Sequence, residues 1–221
     1  MTIIVHHLEH SRSQRVLWLL EELGAPYEVK RYARDPVTRL APPELRAVHP
    51  LGKSPVIEEG GHTIAETGAI VEYLLERHNG GALIPQAGSE AHLRYRYWLH
   101  FAEGSAMPML VMTLLFNRLA AGMPPESAAQ VAALQHAYVD PQRRAHLDLM
   151  EADLARGPYL AGDALSAADV MMSFPAEAAA SRGGLGERPL LAAWLAGLQA
   201  RPAYRAALAR GGPYAYAPPA G

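Results

Sequence analysis

Residues 6–23, HHLEHSRSQRVLWLLEEL, place two hydroxyls, Ser11 and Ser13, where a strand hands over to a helix. A hydroxyl at a helix start can accept from the unpaired backbone N–H groups there while donating its own hydrogen elsewhere. Ser11 stands three residues before Gln14, the spacing of a capping box. Ser13 falls inside the first turn and reads as a helix-surface residue. A second candidate lies in HPLGKSPVIEEGGHTIAETGAIVEYL, residues 49–74. Pro55 at the first residue of a strand is tolerated, and a cis Ser54–Pro55 bond there would turn the chain tightly. Glu66-Thr67 then opens a helix, where a hydroxyl and free N–H groups suit a carboxylate and the adjacent acid suits an ammonium. The same two residues would serve as a simple helix cap, and on the residues alone capping is the weightier reading. His6, His7 and His10 do not converge from a strand and its following loop, and no cysteine joins them, so no metal site is expected.

The elements that must position these groups are short and well punctuated. Ile3, Ile4 and Val5 give a buried strand over Thr2–His7, and Val16, Leu17, Leu19, Leu20 and Leu23 give a helix over Arg15–Leu23, ended by Gly24. Tyr27–Tyr32 alternates as a second strand, and a short helix is expected around Glu44–Val48. Val56–Glu58 and His62–Ala65 flank a Gly60-Gly61 turn as a hairpin, and a helix follows to about Arg77. Residues 1–79 thus read as βαβ then ββα, residues 80–89 as a linker and residues 90–221 as all helix. Helices are expected over Glu90–Ala121, Ser127–Tyr138, Gln142–Ala155, Ser166–Ser181 and Leu190–Ala200, with only a short turn after Pro202. Ser166 and Asp169 form a variant capping box with Leu165 and Val170 as its hydrophobic staple, a structural device. The tail GGPYAYAPPAG reads as irregular, with disorder outweighing a role for Tyr214 or Tyr216 as a cover.

The chain of 221 residues has a net charge of −2 and no cysteine. That balance offers nothing for nucleic acid or an anionic membrane, and it excludes a disulfide scaffold and any chemistry using the protein's own thiol. No apolar run approaching the roughly 18 residues of a spanning helix is expected, and no leader pattern opens the sequence. A cytoplasmic protein is expected.

Taken together, HSRSQRVLWLLEEL, the x-Pro-hairpin-Glu-Thr block and YLAGDALSAADVMM, residues 159–172, resemble the cytosolic glutathione S-transferases in order and spacing over nearly the whole chain. The resemblance implies a thioredoxin-like N-terminal domain with a mixed four-stranded sheet, an all-α C-terminal domain and a homodimer. It implies glutathione as co-substrate, without a metal, and a detoxifying conjugation to small hydrophobic electrophiles. It reverses the reading of Glu66-Thr67, which match the pair holding the γ-glutamyl end. Pro55 matches the family's cis-proline, Ser54 would offer its backbone to the cysteinyl part, and Lys53 would reach the glycyl carboxylate. Ser11, four residues before Arg15, resembles the activating serine of the theta- and delta-like members, and no tyrosine stands near the first strand. His10 and Arg12 would border the glutathione pocket. Met107 and Met109, beside Pro108, are candidates for the second-substrate pocket, whereas Met112, Leu115, Phe116 and Leu119 form a stripe expected in the core. Glutathione-dependent reduction of organic hydroperoxides, and a non-catalytic binding or assembly role for the same fold, stay open as alternatives.

Overall fold

The computed structural model describes residues 2–78 and 80–217. Strand β1 (Ile3–Leu8) pairs parallel with β2 (Tyr27–Tyr32), Val5 facing Val29, and antiparallel with β3 (Val56–Glu59), Val5 facing Ile57. β4 (His62–Ala65) closes a four-stranded mixed sheet of order β2-β1-β3-β4. The β3–β4 turn places Gly60 and Gly61 at φ 58° and 83°, values that explain two successive glycines. Helix α1 (Ser13–Leu23) joins β1 to β2, α2 (Leu45–Val48) is a single turn, and α3 (Thr67–Arg77) follows β4. Gly24 ends α1 at φ 63°, its N–H turned back to Glu21 and Leu20.

The helical half comprises α4 (Glu90–Phe101), α5 (Met107–Ala121), α6 (Pro125–Leu134), α7 (Asp140–Leu154), α8 (Ala167–Ala180), α9 (Pro189–Ala200) and α10 (Pro202–Gly211). Glu90–Ala121 runs as one helical stretch, but residues 102–106 widen into a π turn, and a second π turn over 135–139 joins α6 to α7. Each lies just before a proline, Pro108 and Pro141, which cannot donate to the carbonyl one turn back and crowds it. The 90–121 stretch has a window of mean hydropathy 1.3, enough by length and composition for a membrane span. Here it packs on α8 and carries Glu103 paired with two arginines.

Helix α8 sits at the centre of this half, with residues 167–179 all buried. The Asp169 carboxylate accepts from the backbone N–H of Leu160 and Ser166, at 2.9 Å each, and from Trp194 Nε1 at 3.0 Å. It thereby fixes the start of α8, the loop before it and α9, as a structural capping motif should.

Three expectations are corrected. α1 starts at Ser13, two residues early, and is covered on both sides by the sheet and by α8 and α10. The segment after Pro202 is a ten-residue helix that packs along α1, where Gly211 has no room for a Cβ beside Gln14 and Leu17. The Met112–Leu119 stripe is not core: Leu115 and Leu119 are about half exposed, at 58 % and 48 %.

Candidate active site

A cleft of about 540 Å³ opens between the C-terminal end of β1, the loop after β2, α5, α8 and the C-terminal tail. Ser11, Lys53, Ser54 and Met107 line it, as do His10 and Arg12. Met109 is half-buried and outside that lining.

Ser11 sits in the loop between β1 and α1, where His10 takes a positive φ of 51°. Its Oγ accepts from the Ser13 N–H at 3.3 Å and lies 2.7 Å from Ser13 Oγ. It therefore serves one free donor of α1 from just outside the helix. The capping box does not form: Arg12 is the residue before the helix, and the Gln14 side-chain amide is buried without a partner. Ser13, read from the sequence as a surface residue, is fully buried. Its hydroxyl lies 2.9 Å from His7 Nδ1 and 3.4 Å from the Leu8 carbonyl. Burial, with Arg31 and His10 nearby, pushes the His7 imidazole down to about 4, so it is neutral at neutral pH. His6 points to the other face of β1, 2.8 Å from the Tyr32 hydroxyl.

The Ser54–Pro55 bond is cis. The Ser54 hydroxyl donates to the His6 carbonyl at 2.8 Å and accepts from the Leu8 N–H at 3.2 Å, pinning this turn to β1 and leaving only its backbone for a ligand. Val56 faces Ala65 in the hairpin, so the register carries Glu66 alongside Pro55. Glu66 is exposed at φ 70°, and Thr67, the first residue of α3, is buried. Neither side chain caps the helix by a side-chain hydrogen bond.

Two features had no sequence signal. Arg15, fully buried in α1, donates to the Met171 carbonyl at 2.6 Å and pairs with Glu103, which also takes Arg12 at 2.6 Å. Burial pushes the Glu103 carboxyl up, but Arg15 and Arg12 outweigh it and hold it below its ordinary value. The tail expected to be disordered is held against the fold at Tyr214 and Tyr216, a correction with a specific cause; its residues 218–221 lie outside the described residues. Tyr214 and Tyr204 each donate to the buried Glu177 carboxylate at 2.5 Å, and Tyr216 stacks edge-on against Phe174 at 5.3 Å over the cleft. Burial keeps the Glu177 carboxyl above its ordinary value against these donors.

The family model described as "Glutathione S-transferase, N-terminal domain" matches residues 2–76, and "Glutathione S-transferase, C-terminal domain" matches residues 129–197. Glutathione S-transferase 3 of Schizosaccharomyces pombe is 36% identical over 213 residues, covering 93% of this chain and 86% of that protein. Glutathione S-transferase 1 of Saccharomyces cerevisiae is 34% identical over 218 residues, covering 92% and 93%. A solved glutathione S-transferase from Actinobacillus pleuropneumoniae superposes with a TM-score of 0.77 at 31% identity, covering 95% and 93%. On these matches and on this fold, the chain belongs to the glutathione S-transferase family.

Proposed function

We propose that this protein binds glutathione along the Ser54–Pro55 turn and the start of α3, ionises its thiol at Ser11, and adds the sulfur to a small hydrophobic electrophile. The observation that carries the reading is the hydrogen-bond chain behind Ser11. If His7 holds its hydrogen on Nδ1, it donates to Ser13 Oγ, and if Ser13 gives its one hydrogen to Ser11 Oγ at 2.7 Å and not to the Leu8 carbonyl at 3.4 Å, the chain ends at Ser11. Ser11 then has its own hydrogen free for a sulfur in the cleft it lines. A free thiol of pKa about 8.5 is only about 3% thiolate at pH 7, and one such bond near a helix N-terminus favours the ionised form. The sulfur attacks carbon, the C–S bond forms, and the leaving group departs with its electron pair while the thiol proton passes to solvent.

In the same reading Glu66 takes the γ-glutamyl ammonium, Thr67 its carboxylate, the Ser54 backbone the cysteinyl amide and Lys53 the glycyl carboxylate, while Met107 forms part of the apolar wall. Thr67→Val should weaken glutathione binding by roughly 1.5–3 kcal/mol, because a charged carboxylate loses one hydrogen bond. Isothermal titration checks it; unchanged affinity in a folded variant returns Thr67 to a structural role. Ser11→Ala, followed by thiolate absorbance, tests the catalytic part.

A cytosolic homodimer belongs to the same reading. Leu93 and Tyr97 on α4 are 69 % and 48 % exposed, and Leu51 before β3 is 61 % exposed, so both halves present apolar side chains to solvent. Light scattering at micromolar concentration should give twice the 23.9 kDa of one chain. A species of 23.9 kDa alone would remove the dimer.

A further inference from the structure

The chain carries 20 Lys and Arg against 22 Asp and Glu, yet the cleft departs from that balance. Among the described residues Arg12, Arg34, Arg39, Lys53, Arg118 and Arg182 line it, and no Asp or Glu side chain does. Arg12 is neutralised by Glu103. Among the described residues the other five make no ion pair: the arginine contacts are to neutral carbonyls. Arg34 donates to the carbonyls of Glu9, His10 and Arg39, Arg118 to that of Thr38, and Arg182 to that of Ala178. Such contacts orient a guanidinium without cancelling its charge. Arg182 is further held over the Tyr216 ring, 5.9 Å from its centroid.

Glutathione bound as a thiolate carries two carboxylates, one ammonium and the sulfur charge. Within the proposed function, Glu66 answers the ammonium, α3 and Thr67 one carboxylate, Lys53 the other, and Ser11 the sulfur. Four cations are left over: Arg34 and Arg39 in the loop after β2, Arg118 on α5 and Arg182 just after α8. Arg34 and Arg39 sit on the glutathione-binding half, so the last two are the ones that face the second substrate. Arg118 and Arg182 belong to the helical half, on the side where Leu114 and Phe174 form an apolar wall.

We infer that the second substrate bears an oxyanion, such as a carboxylate, beside its apolar electrophilic part, and that Arg118 and Arg182 receive it. The inference rests on the proposed glutathione chemistry but concerns only the electrophile. Both arginines are exposed, so each contributes a modest, salt-screened attraction that raises capture more than it changes the chemical step.

Matched aryl chlorides test it: 1-chloro-2,6-dinitrobenzene and 4-chloro-3,5-dinitrobenzoate, which differ by a carboxylate. In each, the glutathione sulfur bonds to the ring carbon and chloride leaves with the C–Cl pair. After division by the uncatalysed rate, kcat/KM should favour the benzoate by roughly tenfold at low salt and approach parity at high salt. Arg118→Gln with Arg182→Gln should remove most of that preference, taken as a ratio within each protein. Equal use of the two chlorides, or a raised KM for glutathione with the preference intact, overturns the inference and assigns these cations to glutathione. Should neither chloride be consumed, the thiolate reading itself fails. Titration of the protein with the two corresponding glutathione conjugates then decides this inference separately: tighter binding of the carboxylated conjugate, lost in the double variant, supports it, and equal binding overturns it.

Discussion

Ser11→Ala is expected to raise the pKa of the bound glutathione thiol by roughly one to two units. The lost bond is charge-assisted and exists only with ionised sulfur, and about 1.36 kcal/mol corresponds to one unit. Turnover near neutral pH should fall by about ten- to a hundredfold and recover in part as pH rises, because hydroxide then removes the proton. Glutathione affinity should change less, since the groups proposed to hold its backbone and termini are untouched. The packing around Ser13 adds a second, smaller effect. Ser13 donates its N–H to Ser11 and lies within hydrogen-bond distance of Ser11 Oγ and His7. Ser13→Ala should therefore shift the thiol pKa in the same direction by less than one unit. It should also cost about 1–3 kcal/mol in stability, because His7 Nδ1 loses its partner in a buried position. Absorbance titration of the thiolate in both complexes decides between the serines. An unshifted curve for Ser11→Ala rejects it as the activating hydroxyl.

The second large effect is on stability. Glu103→Gln should destabilise the fold by about 3–5 kcal/mol, because it leaves the buried Arg15 guanidinium without its counter-charge. That is a large share of the 5–15 kcal/mol typical of a domain. Urea unfolding measures it, and adding Arg15→Met should restore part of the loss. A cost below about 1 kcal/mol would mean that water reaches the pair. The pH dependence has a fixed sign. Since the Glu103 carboxyl is held below its ordinary 4.5, its contribution is complete above that pH and is lost as pH falls through the depressed value.

The sheet and most helices were legible because local signals agreed: β-branched runs for β1, a Gly60-Gly61 turn for the hairpin, and Ser166 with Asp169 for α8. Ser13 was misplaced because its place in the first turn was weighed without its helical face: at about 100° per residue it shares the apolar arc of Val16, Leu17 and Leu20, opposite the arc of Gln14, Arg15, Glu21 and Glu22. α10 was missed because its alanines and arginines show no strong apolar stripe after Pro202. The tail was misjudged for a different reason. Its composition predicts disorder, but one buried carboxylate, Glu177, binds Tyr214 from 37 residues away. Glu103 lies 88 residues from Arg15, a pairing that no window of sequence reveals. The cleft's charge was equally hidden, since its cations come from separate elements along the chain.

The π turn at 102–106 also constrains how the gene can change. It is one residue longer than the α-helical path between the same ends. Because the wide turn absorbs the extra residue, a single codon deleted there would leave an unbroken helix with α4 and α5 keeping the faces they now present. A codon deleted from the regular α5 has no such outlet, and every residue on one side of it would turn by about 100° against the other. Losing one residue at 102–106 would thus keep Met107 and Arg118 together on the cleft, while losing one between them would part the two.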